Sequence, residues 1–254
     1  MAWFLAIIPL GWLVGGLVNY LSDYLPVNRK PVLPYCLGCY KPTGLTSSFM
    51  LPRKCDNCAR IPGIRPVIVH IWYAILAFLL WRYPHLELGF ILSLAVCVYF
   101  GVVIVIDFEH RLILHPVSMV GALLGLLVGT VLHGLVVTLM GGLAGFIIMF
   151  LLYQGGRLFL RLLVRWRNYA GVDEALGFGD VILGGVIGLM LGWPSVVVGL
   201  VLAIIFAGAI SLLVLIILFI SHRYRSNVTI AYGPYLVASA FLLLFLKDIF
   251  ARLF

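Results

Sequence analysis

The chain has 254 residues, of which 64% are hydrophobic and only 10% are charged, and its mean hydropathy is +1.17. This composition excludes an ordinary soluble domain, in which about 25% of residues are charged. The net charge of +8 does not indicate nucleic acid, because the basic residues flank apolar segments and have no separate binding domain; membrane lipids are the predicted partner.

Apolar stretches of the length that a membrane helix needs, about 20 residues, recur along the whole chain. The second and the sixth are short, and a short span can lie inside a helix bundle. The sequence therefore predicts an all-α polytopic membrane protein with a first helix at 1–25, a small cytoplasmic module at 26–66 and a transmembrane catalytic bundle at 67–254. About eight spans are predicted, at residues 3–25, 67–81, 88–106, 117–132, 135–153, 181–193, 196–220 and 228–246.

The distribution of basic residues predicts the orientation. With the N-terminus outside, every Lys and Arg except Arg82, Lys247 and Arg252 lies on the cytoplasmic side, as the positive-inside rule requires. Both termini are therefore expected outside the cytoplasm, in a cytoplasmic (inner) membrane. The first span has neither a basic n-region nor a small-residue cleavage site, so we interpret it as a retained helix.

The segment 26–66 holds four of the five cysteines. Cys36-x-x-Cys39 and Cys55-x-x-Cys58 are 15 residues apart, which is typical of two zinc knuckles that share one ion. We expect a structural zinc, because four thiolates leave no open coordination position and metal binding supplies folding energy to a module with little core. Two disulfides are the alternative, which a reducing cytoplasm disfavours.

Two periodic patterns follow in the bundle. Arg157, Arg161 and Arg165 recur every four residues and predict a helix face that meets lipid headgroups. Glycines at helical spacing predict close helix packing, and they are Gly141, Gly142, Gly145, Gly184, Gly185 and Gly188.

Acidic residues are rare in the chain. Asp107 directly follows the third span and Asp180 stands at the start of the sixth, so both are predicted at the cytoplasmic membrane boundary. Ionisable groups in such a place indicate function; the alternatives are a carboxylate solvated by headgroups or, for Asp180, a helix cap. Six of the nine acids lie at or near this boundary: Asp23, Asp107, Glu109, Asp173, Glu174 and Asp180.

A pair of carboxyl groups predicts a particular chemistry. In a partly dry site the two do not both ionise easily, so one keeps a proton while the other stays charged. The charged one can deprotonate an attacking water, and the protonated one can hydrogen-bond the peptide carbonyl. Asp107 and Asp180 are therefore the predicted catalytic pair of an aspartyl peptidase. Gly177 and Gly179, which lack a Cβ, are predicted to let a substrate backbone approach Asp180.

At these residues the sequence resembles the bacterial type IV prepilin peptidases, GxGD-type intramembrane aspartyl proteases with an earlier second Asp. The resemblance implies cleavage of the basic leader from type IV prepilins or pseudopilins of pilus and type II secretion systems at the cytoplasmic face. It also implies methylation of the new N-terminus with S-adenosylmethionine. The matching segments are 15–26, 174–181 and 232–235, Ile106-Asp107 with His115-Pro116, and the cysteines at 36, 39, 55 and 58.

Some positions depart from that family's pattern. Ile182 stands where a Lys is frequent, Val117 stands where an Asp is common, and the Glu usual after the cysteine loop is absent. The missing Glu weakens the case for methyl transfer, for which family members use acidic residues in this region. Asp23 is interpreted as an interfacial polar residue or as a contact for a basic leader. Two other functions stay open: a membrane transporter, and a non-enzymatic pilus or secretion assembly protein.

Overall fold

The computed structural model describes residues 4–44, 49, 54–55, 57–59, 63–85, 87–167, 177–221 and 231–246. Over this part the regular structure is helical, with a single isolated β-bridge between Tyr35 and Pro42. Three residues named above lie outside what is described, in whole or in part: Asp173, Glu174 and the side chain of Arg165. The chain folds into two compact units, Met1–His110 and Arg111–Phe254. The division predicted from the sequence, at 1–25, 26–66 and 67–254, stays a prediction.

Among the described residues of the first unit, the long helices are α1 (Phe4–Asn28), α2 (Arg65–Arg82) and α3 (Gly89–His110). Glycines of α1 let α2 approach closely, because a Cβ added to Gly15 would lie 2.8 Å from the Cα of His70. The cysteines of the predicted module lie in the chain between α1 and α2.

The second unit contains five helices and a short π-helical extension among its described residues. The helices are α4 (His115–His133), α5 (Leu135–Arg167), α6 (Phe178–Leu191), α7 (Ser195–Ile220) and α8 (Gly233–Phe241), and the π-helical turn is Leu242–Leu246. The α5 helix continues well past its predicted span and carries Arg157 and Arg161, as the row of arginines indicates.

Each predicted span coincides with a helix over its described residues. Six helices, α1 to α5 and α7, are long and apolar enough to cross a membrane, and the chain is a multi-pass membrane protein. The second span, predicted to be short, is a helix of 18 residues. The α6 helix and the segment Gly233–Leu246 are shorter apolar helices, so the total of eight spans stays a prediction.

The predicted glycine packing is confirmed between α5 and α6. A Cβ on Gly141 would lie 2.6 Å from the Cα of Gly192, and a Cβ on Gly188 would lie 2.9 Å from the carbonyl carbon of Gly141. Because these neighbours are backbone atoms, they cannot yield as a flexible side chain would. The α6 helix is also buried along most of its length, with Leu183 and Ile187 fully enclosed. A short, tightly held helix therefore carries Asp180 at its start.

Candidate functional site

Asp180 is the third residue of α6 and is 8% exposed. Its backbone N–H donates to the carbonyl oxygen of Gly177 at 3.1 Å, and its carboxylate Oδ2 accepts from the N–H of Gly177 at 3.2 Å. This reciprocal pair satisfies two backbone groups that a helix start leaves without helical partners. The N-terminal end of a helix also favours negative charge. Asp180 therefore caps α6.

The two glycines before Asp180 have different surroundings. A Cβ on Gly179 would lie 2.8 Å from the Cβ of Ile113, so glycine is required there for packing. At Gly177 a Cβ would meet the Asp180 carboxylate at an ordinary 3.5 Å. The backbone of Gly177 has φ −77° and ψ 147°, which other residues adopt equally well, so the left-handed freedom of glycine is not needed at this position.

Aromatic side chains surround the start of α6. Phe178 packs edge-on against Tyr153 of α5, with ring centroids 6.0 Å apart. Arg157 donates to the hydroxyl of Tyr153 at 3.2 Å and lies over the same ring. Tyr232, just before α8, is close enough to Asp180 for the carboxylate charge to act on its phenol. The late segment at 232–235 thus lies beside Asp180 within the second unit.

Asp107 lies in the last turn of α3, in the first unit. It is 5% exposed and follows Ile106, which is 2% exposed, whereas the next side chain, Phe108, is 68% exposed. Asp107 therefore faces inward at the end of an apolar helix. A buried carboxyl group in such a position is costly and indicates function.

A cluster of charged side chains joins α1, α2 and α3 in the first unit. Arg65, the first residue of α2, reaches Oδ1 of Asp23 in α1 at 2.5 Å and Oε2 of Glu109 in α3 at 2.6 Å. Asp23 is therefore paired within the chain. Sequence reasoning counted Arg65 only as a basic residue, although an Arg at the first residue of a helix could have drawn attention to it.

The four module cysteines come together, as their spacing predicts. The Sγ atoms of Cys36 and Cys58 are 3.6 Å apart, those of Cys39 and Cys55 are 3.8 Å apart, and all four lie within 4.8 Å of one another. A tetrahedral zinc with bonds of about 2.3 Å separates its sulfur ligands by about 3.8 Å. All four are free thiols, so the cluster can hold a zinc ion.

The two halves of this cluster share one backbone turn. The residues after the second cysteine of each half, Tyr40 and Ala59, both have φ near 57°, at 58° and 56°. Each donates its N–H to the carbonyl of the first cysteine, Tyr40 to Cys36 at 2.8 Å and Ala59 to Cys55 at 2.9 Å. The chain thus forms two equivalent knuckles.

Backbone N–H groups prepare these sulfurs for metal binding. Hydrogen bonds from Gly38 and then Cys39 lower the pKa of the Cys36 thiol to about 6. Those from Cys58 and Asn57 lower the pKa of the Cys55 thiol. Because zinc binds the thiolate, this arrangement suits a metal site.

The C-terminal part of α1 anchors the module. The Tyr24 hydroxyl donates to the carbonyl of Tyr35 at 2.6 Å and accepts from the Tyr35 N–H at 3.2 Å. The Asn28 amide donates to the Tyr35 hydroxyl at 2.8 Å, and the Tyr20 hydroxyl donates to the carbonyl of Val32. The residue before Cys36 is therefore held directly by α1.

Comparison with known families bears on the membrane bundle. The model of the type IV leader peptidase family matches residues 94–213. Over these residues, nearly half of the chain, the protein is similar to the type IV leader peptidase family. No curated protein and no solved structure matched the chain.

The leader-peptidase segment contains Asp107, Gly177, Gly179 and Asp180. The cysteine cluster and Arg65 precede it. The family thus supports a peptidase, and the structure places Asp107 at the end of α3 and Asp180 at the start of α6.

Proposed function

We propose that this leader peptidase is an aspartyl enzyme of the cytoplasmic (inner) membrane, with Asp107 and Asp180 as its catalytic pair. One observation carries the proposal: the family match encloses two carboxyl groups, each less than one-tenth exposed and each at a helix end. Apolar membrane segments tolerate such groups chiefly where they have a task.

The helix ends suggest which carboxyl group is charged. Asp180 sits at the N-terminal end of α6 and accepts the Gly177 N–H, and both features favour the anion. Asp107 sits at the C-terminal end of α3, where the helix dipole disfavours an anion. We therefore assign Asp180 as the general base and Asp107 as the protonated acid.

The reaction follows from these two roles. Asp180 takes a proton from a water molecule while the water oxygen attacks the carbonyl carbon of the scissile peptide. Asp107 donates a hydrogen bond to the carbonyl oxygen. The tetrahedral intermediate then collapses, the C–N bond breaks, and the leaving amine takes up the proton that Asp180 removed from the water. Gly177 and Gly179 lie next to the substrate backbone in this proposal, and Gly179 also makes room for Ile113.

The substrate is proposed to be a type IV prepilin or pseudopilin, cleaved after its basic leader at the cytoplasmic face. The distribution of Lys and Arg supports this orientation, with both termini outside. An apolar helix following the leader would enter the same membrane as the enzyme. The cysteine cluster would hold a structural zinc on the cytoplasmic side, through Cys36, Cys39, Cys55 and Cys58.

Methylation of the new N-terminus with S-adenosylmethionine rests on the family resemblance alone. The four-cysteine module is the feature that suggests it, and the lack of a Glu between Arg65 and His70 counts against it. We treat it as a second activity to be measured alongside cleavage.

Mass spectrometry of a co-expressed prepilin tests the proposal. We expect the mature N-terminus to appear only when the enzyme is present, and the same spectrum would reveal one added methyl group. A prepilin that keeps its leader contradicts peptidase activity. Ion or solute flux into proteoliposomes that depends on Asp107 would instead indicate a transporter. Partner binding that depends on the cysteines alone would indicate an assembly protein.

A further inference from the structure

Arg65 contacts two carboxylates that belong to two other helices of its unit. Its two terminal nitrogens bind different partners: Nη2 pairs with Asp23 of α1, and Nη1 pairs with Glu109 of α3. The three side chains are 25% to 40% exposed. Isolated ion pairs at such exposure contribute little, whereas networks with good Arg geometry contribute more.

Two members of this cluster stand at unfavourable ends of their own helices. Arg65 is a cation at the N-terminal end of α2, and Glu109 is an anion at the C-terminal end of α3. The helix dipole disfavours both. Pairing the two residues offsets both penalties together. Because both residues of one contact go against the charge preference of their helix ends, a functional role is expected for that contact.

Glu109 and Asp107 are coupled by helix geometry. Two residues correspond to a rotation of about 200° around a helix, so the two side chains point to nearly opposite sides of α3. Glu109 points toward Arg65, and Asp107 is 5% exposed. The last turn of a helix is also where fraying starts. Holding Glu109 therefore fixes the rotation of the turn that carries Asp107.

We propose that Arg65 is a positioning residue for Asp107. It keeps the Asp107 side chain in its buried orientation by fixing the last turn of α3 against α1. This inference rests on the proposed catalytic role of Asp107. The fork of Arg65 is essential to it, because one guanidinium serves two separate carboxylates, whereas a Lys presents a single point charge. Arg65→Lys is therefore expected to fall between the wild type and Arg65→Gln.

Leader-cleavage kinetics of the full chain in detergent test the positioning role. Arg65→Gln should lower kcat by about tenfold or more, as displaced catalytic groups do, while KM changes little. In a double-mutant cycle, adding Glu109→Gln to Arg65→Gln should lower kcat no further, because both changes remove the same contact. Arg82→Gln, at the other end of α2, is the matched control.

Hydrogen exchange gives a readout that does not depend on activity. Amides of residues 105–110 should exchange faster in Arg65→Gln than in Arg82→Gln or the wild type, and this holds even if the wild type cleaves no prepilin.

Three results would overturn the proposal. Equal exchange in both variants would show that Arg65 does not hold the turn. A raised KM with unchanged kcat would assign the cluster to leader binding. Losses of kcat that add up in the double variant Arg65→Gln with Glu109→Gln would show that the ion pair is not what matters.

Discussion

The backbone N–H of Gly177 donates to the Asp180 carboxylate at 3.2 Å. Sequence reasoning valued this glycine for its missing side chain, but the structure adds a second contribution from its backbone. The hydrogen bond supports the anion that a general base requires. The two contributions can be separated, because different substitutions remove them.

Gly177→Pro should lower kcat, because proline lacks the N–H while its fixed φ suits the φ of −77° at this position. The loss of a hydrogen bond to a charged group, about 1.5–3 kcal/mol, predicts about a tenfold to hundredfold fall in kcat. Gly177→Ala keeps the N–H and should raise KM alone. Steady-state cleavage assays distinguish the two, and equal kcat in both variants would refute the role of the N–H.

Gly188→Ala should destabilise the second unit, because its Cβ would meet the Gly141 backbone, which cannot move aside. Overpacking of this kind costs about 1–3 kcal/mol. Thermal unfolding in detergent measures the change. Gly208→Ala in α7 is the matched control, since a Cβ there meets open space, and a helix gains about 0.5–1 kcal/mol from that exchange. Destabilisation of equal size at both positions would argue against close packing of Gly188 on Gly141.

Joint replacement of Cys36 and Cys39 by Ser should abolish bound metal. Purified wild-type protein is expected to contain about one zinc ion per chain, as a four-thiolate site requires, and elemental analysis measures it. Cys97→Ala is the control, because Cys97 is buried in α3 and outside the cluster. Metal that survives the double replacement, or that disappears with Cys97, would contradict the assignment.

Tyr24→Phe should loosen the module from α1, because two hydrogen bonds to the Tyr35 backbone are lost. Leaving such backbone groups unpaired costs about 1–3 kcal/mol. Hydrogen exchange over residues 30–44 should become faster, while zinc content stays the same. Tyr40→Phe, on a side chain that is 74% exposed, should leave exchange unchanged; similar exchange in the two variants would mean that Tyr24 is not an anchor.

The sequence predicts the helices well because each follows from an uninterrupted apolar run. It predicts their ends less well. The α1 helix continues to Asn28, past its predicted end, since polar residues are as compatible with helix as with loop. The row of arginines did predict the continuation of α5, which runs to Arg167. The pairing of Gly141 with Gly188 follows from spacing that favours close contact, although the sequence alone does not say which glycines meet.

The cysteine cluster was predictable because its ligand spacing is local and the chemistry accepts few alternatives. Arg65 was not, because its partners lie 42 and 44 residues away and no local pattern joins them. The requirement for Gly179 was similarly hidden, since Ile113, the side chain that it accommodates, comes from the loop before α4. Contacts between residues far apart in the chain therefore account for the features that could not be predicted from the sequence.

The central claim is that Asp107 and Asp180 together carry out peptide cleavage. Its most direct test is leader removal from a prepilin by purified Asp107→Asn and Asp180→Asn, compared with the wild type and with Glu87→Gln, an exposed acid outside the proposed machinery. The account predicts that each Asn variant loses cleavage by at least about a thousandfold, as expected when one member of an acid–base pair is removed, while Glu87→Gln keeps it. Undiminished cleavage by either Asn variant would contradict the account.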